Sequence, residues 1–192
     1  MSIERRKTTG QISTEKNKLS GLASPTYDGS PGSQYELFEG VVERFQEGAF
    51  DAALKSNPDV VALLNHDSNV VLGRTPNTLS LRADARGLHY EISLPKTQAA
   101  KDLTISVERG DIKGSSFAFK PTYIQWLKEG NLDVRLIRSA ELFDVSVVVN
   151  PAYGSSTAFM RSNEERTSIL KERDEYRAKI ETEKWQSKIS GL

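Results

Sequence analysis

Glu141-Leu142-Phe143-Asp144-Val145-Ser146-Val147-Val148-Val149 is a strongly apolar run, rich in β-branched valine, that stops at Asn150-Pro151. A run this short and this β-branched, closed by a proline, reads as a buried strand. Alternation sets Asp144 and Ser146 on one face, and Phe143, Val145 and Val147 on the other. A carboxylate inside such a strand is costly unless a partner satisfies it, and a neutral imidazole N–H is a suitable partner. The competing reading is an edge-strand aspartate facing water.

Outward from this run the same period recurs. Leu132, Val134 and Leu136 alternate with Asp133 and Arg135, and Ser115–Phe119 predicts a strand closed by Pro121. Leu88, Tyr90, Ile92 and Leu94 alternate with His89, Glu91 and Ser93. Leu79 and Leu81 share a face within residues 78–82, and Val60-Val61-Ala62-Leu63-Leu64 is a short buried run. Two helices interrupt the strands. One covers residues 47–56 and ends at Pro58; the other covers 97–109, with Thr97 as cap and Gly110 as stop. Residues 1–34 are polar and turn-rich, with room for short strands around 11–14 and 18–22. Many short strands without regular strand–helix alternation point to an α+β chain, mainly β. A closed or nearly closed β-barrel is expected rather than a doubly wound sheet.

Ser162 and Glu165 match a capping box that opens a long charged helix. Its apolar stripe through Ile169, Leu170, Tyr176, Ile180 and Trp185 is too thin for a coiled coil. It reads as a solvated tail or as a tether to a partner. The expected organisation is therefore a polar segment 1–34, a core 35–160 and a helical tail 161–192.

Composition removes several classes. Lys+Arg and Asp+Glu both number 26 among 192 residues, without the basic excess of a protein that binds nucleic acid by neutralising phosphates. No cysteine is present, which rules out disulfides, thiolate metal sites and a cysteine nucleophile. No apolar run approaches the ~20 residues that span a bilayer, and Met1–Lys7 is not followed by the apolar core of a signal peptide. No membrane association is expected, and the cytoplasm where the chain is made is the expected compartment. Neither HExxH nor a glycine-rich phosphate loop occurs, so no metal and no cofactor is expected.

Three residues remain as candidates for chemistry. His66, in Leu64-Asn65-His66-Asp67, follows a strand end, where a rigid scaffold presents functional groups. Ser116 shares a strand face with the small Ala118, whereas Ser115 shares one with Phe117 and Phe119, so Ser116 is the better nucleophile. Asp144 is the candidate orienting carboxylate. Each also has an ordinary reading, as a loop histidine, a strand serine and a solvated aspartate. His89 is a surface histidine or the third member of a Ser-His-His set.

Taken in order, several segments resemble the prohead maturation serine proteases of tailed bacteriophages. They are Phe45-Gln46-Glu47-Gly48-Ala49-Phe50, Val61-Ala62-Leu63-Leu64-Asn65-His66-Asp67, Val71-Leu72-Gly73-Arg74-Thr75, Arg109-Gly110-Asp111, Gly114-Ser115-Ser116-Phe117-Ala118-Phe119 and Asp144-Val145-Ser146-Val147-Val148 leading into Pro151-Ala152-Tyr153. The resemblance spans residues 35–160 and puts the family's histidine on His66 and its serine on Ser116. It implies a fold like that of the herpesvirus assembly protease, a β-barrel enzyme with a Ser-His-His triad. The third position here holds Asp144 rather than histidine, and Val149–Tyr153 lacks the arginines that stabilise the oxyanion in that relative. Backbone N–H groups near Gly114 or Gly154 are the candidate replacements.

The resemblance also implies the biology. The substrate would be the scaffold segment of the major capsid protein, cleaved inside the immature capsid in the host cytoplasm, with self-cleavage of the tail. It leaves homo-oligomer formation open, since the herpesvirus relative dimerises. The rival is a non-catalytic internal capsid-assembly or scaffolding protein with a protease-like fold. A small-ester hydrolase ranks last, because no G-x-S-x-G elbow is present.

Overall fold

One long hairpin organises the molecule, and the site described below sits at its open end. The computed structural model describes residues 3–8, 12–56, 58–149 and 163–190. In chain order the elements are β1 (Glu4–Thr8), β2 (Ser13–Glu15), β3 (Lys18–Pro25), β4 (Tyr35–Phe38), β5 (Val41–Phe45), α1 (Asp51–Lys55), β6 (Val61–Leu64), β7 (Asp67–Arg74), β8 (Leu79–Asp84), β9 (Gly87–Ser93), α2 (Gln98–Glu108), β10 (Gly114–Glu129), β11 (Leu132–Val148) and α3 (Asn163–Ser190). β10 and β11 form the hairpin, turned by Gly130 at φ +57°, a conformation that favours glycine.

The first sheet has seven strands in the order β1-β10-β11-β5-β4, with β6 also on β11 and β7 on β6. One edge of β11 serves two parallel neighbours in turn. Residues 133–137 pair with β5, and residues 144–147 pair with β6. The second sheet is β2-β3-β9-β8, all antiparallel. The α+β, mainly β class holds, but the described residues form two sheets and no closed barrel. Both sheets end in unclosed edges, β1 and β4 on the path of the first, β2 and β8 on the second.

Pro121 does not end its strand. β10 runs straight through it, and the β10–β11 register shifts between Pro121 and Tyr123. A proline that lacks the ladder N–H is tolerated at such an irregularity. The two strands expected at 132–136 and 142–149 are likewise one, bent where the register shifts between Ala118 and Phe119. Thr97 caps α2 as expected, its side chain accepting from the Ala100 N–H.

The core lies between the sheets. Phe45, Phe50, Phe117 and Phe119 stack or meet edge-on with centroids 5.1–5.8 Å apart, against Leu19, Leu88 and Ile92 of the second sheet. A fully buried phenylalanine of this kind contributes about 2–3 kcal/mol. Gly21 is required beside it, since a Cβ there would lie 2.4 Å from the Tyr90 hydroxyl.

At the other end of the hairpin the same face turns polar. Glu43 shares the face of Phe45, and Arg135 that of Ile137. Arg6 donates to both Glu43 carboxylate oxygens (2.5 and 2.9 Å), and Arg135 donates to Glu43 (2.6 Å), Glu4 (2.9 and 3.0 Å) and Glu172 (2.8 and 2.9 Å). The first half of α3 docks over this cluster through buried Ile169, through Glu172, and through Arg173 and Arg177 on Asp133. α3 is thus a docked helix as far as Arg177, with exposed Trp185 beyond it.

Candidate active site

The β10–β11 register builds half of the site. Ser116 lies directly opposite Ser146, and Ala118 opposite Asp144, so all four side chains share the face turned away from Phe117 and Val145. Ser115 points the other way, as alternation requires, and its hydroxyl meets the Tyr90 hydroxyl at 2.8 Å in the core. Burial pushes the Tyr90 phenol up to about 12, against the opposing effect of that hydrogen bond.

His66 reaches this face from a two-residue turn. Leu64 pairs with Asp67, and the intervening Asn65 and His66 have φ of +53° and +58°. Positive φ at both central residues is the I′ pattern that suits a tight hairpin, and Asn and His are among the non-glycine residues that tolerate it. The turn is stapled to the end of β11. Asn65 N–H donates to the Val147 carbonyl (2.9 Å), and the Asn65 side-chain oxygen accepts from the Val149 N–H (3.0 Å).

The three sequence-expected groups meet here. His66 Nε2 lies 2.6 Å from Ser116 Oγ, and His66 Nδ1 lies 2.7 Å from Asp144 Oδ1. Ser116 is fully buried, Asp144 is 7% exposed and the His66 side chain 11%. Three further contacts had no counterpart in the sequence reading. Ser146 Oγ lies 3.1 Å from both His66 Nδ1 and Asp144 Oδ1, and the Ser116 hydroxyl donates to the Arg6 carbonyl oxygen of β1 at 2.8 Å. The Asp-x-Ser spacing was a usable signal for Ser146. Nothing local marked Arg6, whose contribution is a backbone atom brought by long-range pairing.

His89 lies elsewhere, on β9 of the second sheet, where its Nε2 meets Asp84 Oδ1 at 2.9 Å. The alternative Ser-His-His set with His89 does not form. Gly114 opens β10 opposite Val148, two residues before Ser116, while Gly154 lies outside the described residues. A groove of about 310 Å³ adjoins Asp144, walled by Val61, Leu63, Val71 and Phe143 with Ser68 and Arg74. Among the described residues no cluster of His, Asp and Glu is arranged to hold a metal. No helix among them is long and apolar enough to cross a membrane.

In this arrangement a hydroxyl, an imidazole and a carboxylate stand in line, each within hydrogen-bond distance of the next. That is the geometry of an activated serine nucleophile. Comparison with known proteins points the same way. No curated protein sequence matches the chain. The solved structure of the capsid assembly protease gp21 of bacteriophage T4 is similar in fold, with a TM-score of 0.51 at 10% identity. The match covers 78% of this chain and 98% of that one. The sequence model of the caudovirus prohead serine proteases matches residues 5–169, most of the chain and the whole of the site. The chain belongs to the caudovirus prohead serine protease family.

Proposed function

We propose that this chain is a capsid-maturation endopeptidase that cleaves the scaffold segment of the major capsid protein inside the immature capsid, with Ser116 as nucleophile, His66 as general base and Asp144 as the orienting carboxylate. The observation that carries the reading is the continuous line Ser116–His66–Asp144, at 2.6 and 2.7 Å, where the β6–β7 turn meets one face of the sheet. His66 Nε2 takes the hydroxyl proton as Ser116 Oγ attacks a peptide carbonyl. The tetrahedral oxyanion collapses to an acyl-enzyme as His66 returns the proton to the leaving amine. Water, activated by the same nitrogen, then releases the acyl group. Asp144 accepts from Nδ1–H throughout and stabilises the imidazolium. Self-cleavage within the tail beyond α3's docked half fits the same chemistry.

The test is co-expression with the cognate major capsid protein, read by intact-mass spectrometry. Wild type and Ser115→Ala shorten the capsid protein, and Ser116→Ala leaves it whole. Proheads that assemble with uncut capsid protein in all three would instead favour the non-catalytic scaffolding role.

A further inference from the structure

We propose that Ser146 is a positioning residue of this site, the group that holds the His66 ring and the Asp144 carboxylate in one proton arrangement. The proposal rests on the protease reading of His66 and Ser116. Ser146 Oγ, His66 Nδ1 and Asp144 Oδ1 form a closed triangle with sides of 2.7, 3.1 and 3.1 Å. Its hydrogens can be counted. Ser146 has one, and an ionised carboxylate has none to give.

Suppose Ser146 gives its hydrogen to Nδ1. The bare nitrogen then faces the Asp144 oxygen at 2.7 Å lone pair to lone pair, and the Ser146–Asp144 side is repulsive as well. Suppose instead that Ser146 gives it to Asp144. Nδ1–H then points between Asp144 Oδ1 and the free lone pairs of Ser146 Oγ, and all three sides attract. Only this second arrangement satisfies a triangle that is almost closed to water, with Ser146 1% and Asp144 7% exposed. It fixes the neutral ring as the Nδ1–H tautomer and leaves Nε2 bare toward Ser116, as a general base requires.

The lock matters because the Ser116 hydroxyl has a second acceptor. It donates to the Arg6 carbonyl at 2.8 Å, so His66 competes with β1 for a single hydrogen. A ring that swings away from its 2.6 Å contact weakens its hold on that hydrogen, while the Arg6 carbonyl keeps its own at 2.8 Å. Ser146 is well suited to prevent the swing. It sits near the C-terminal end of β11 but is flanked by strands on both sides, paired with Ser116 of β10 and with Leu63 of β6. Its neighbour Val147 accepts from the turn that carries His66.

The experiment uses the full chain with Ser146→Ala and Ser146→Thr, measured two ways. The first is the rate of Ser116 modification by a fluorophosphonate, resolved into kinact and KI, which needs no knowledge of the natural substrate. The second is the imidazole nitrogen spectrum in a His89→Gln background, where His66 is the only histidine left. We expect Ser146→Ala to lower kinact about tenfold, the factor that follows from losing one net hydrogen bond. KI should stay unchanged, the Nδ1–H proton should exchange faster with water, and Ser146→Thr should restore both. An Ala variant with wild-type kinact and an unchanged Nδ1–H signal overturns the proposal, as does a loss confined to KI. If wild type itself is not labelled, the protease reading fails, and the nitrogen spectra alone then decide whether Ser146 holds the ring.

Discussion

The first sheet carries two buried polar networks, and they are built on opposite principles. On one face Ser116, His66, Asp144 and Ser146 carry at most one charge pair, small side chains and a groove beside them. On the other face Arg6, Glu43, Arg135, Glu4 and Glu172 form an extended charge cluster sealed by α3. Arg6 belongs to both. Its guanidinium lies in the charge cluster, and its carbonyl accepts the Ser116 hydroxyl. The first network leaves a proton mobile at little cost to the fold. The second fixes charges that are ruinous if left unpaired, because removing one partner strands the others in a low dielectric. Substitutions on the two faces should therefore separate activity from stability.

The sharpest form of that separation is Ser116→Ala, with peptide turnover lowered on the order of 10⁶-fold and fluorophosphonate labelling at this position abolished. Asp144→Asn should lose on the order of 10⁴-fold, since the amide favours the wrong imidazole tautomer. Thermal melting of both should stay within a few degrees of wild type. A variant that loses activity only by unfolding would break the comparison at its strongest point.

How much of this was legible in the sequence differs between the two faces. Period-2 patterning was enough for Asp144 and Ser146 on one face, for Ser116 away from Phe117, and for a mainly β chain. His66 was only a candidate by its place after a buried run, and the resemblance to the prohead proteases, not the local pattern, raised it and Ser116 above their ordinary readings. The charge cluster was not legible, because Arg135 sits in an alternating pattern that reads as solvent-facing, and Val41-Val42-Glu43-Arg44-Phe45 has no clear period to place Glu43. Arg135 is covered by α3, which docks at Glu172, 37 residues beyond it, through a stripe that looked too thin for a coiled coil. Pro121 misled for a related reason: a local rule ended the strand, and a long-range register irregularity absorbed the proline. Closure of a barrel depends on which edges meet, and alternation within strands says nothing about that.

On the charged face the largest effect should come from Glu43→Ala. Glu43 is fully buried and serves both Arg6 and Arg135. Its loss should cost about 3–5 kcal/mol in chemical unfolding, the cost of breaking a buried pair from one side. Replacing Arg6, Glu43 and Arg135 together by apolar residues of similar volume should cost less than Glu43→Ala alone. If the triple replacement is the worse, the cluster acts as more than charge compensation.

Acid should attack the same face first. Burial alone would raise the Glu4 carboxyl, but the charges of Arg6 and Arg135 outweigh it and hold it at about 2, below its ordinary 4.5. The Asp133 carboxyl is also lowered: burial opposes the shift, and Lys128, Arg173 and Arg177 overcome it. A depressed carboxyl stabilises the fold above its unfolded value, and the contribution disappears as pH falls through its folded value. Stability should thus decline between about pH 4.5 and 2. Glu4→Gln should flatten the decline in acid unfolding followed by circular dichroism.

The smallest effect, and the most telling for the link between the faces, belongs to Glu172→Gln. Glu172 is 26% exposed and accepts from Arg135 and from the Trp126 indole N–H at 3.1 Å. Glutamine keeps an acceptor for one of these donors, and Arg135 keeps Glu43 and Glu4. The expected loss is about 1 kcal/mol, the scale of one hydrogen bond at a partly wet site. Labelling of Ser116 should not change if the faces are independent. A faster rate would mean that loosening α3 is felt at Arg6, and that β1 releases the Ser116 hydrogen to His66 when the charge cluster relaxes. In that case the two networks are one device joined at a single residue, and their separation into chemistry and support would have to be given up.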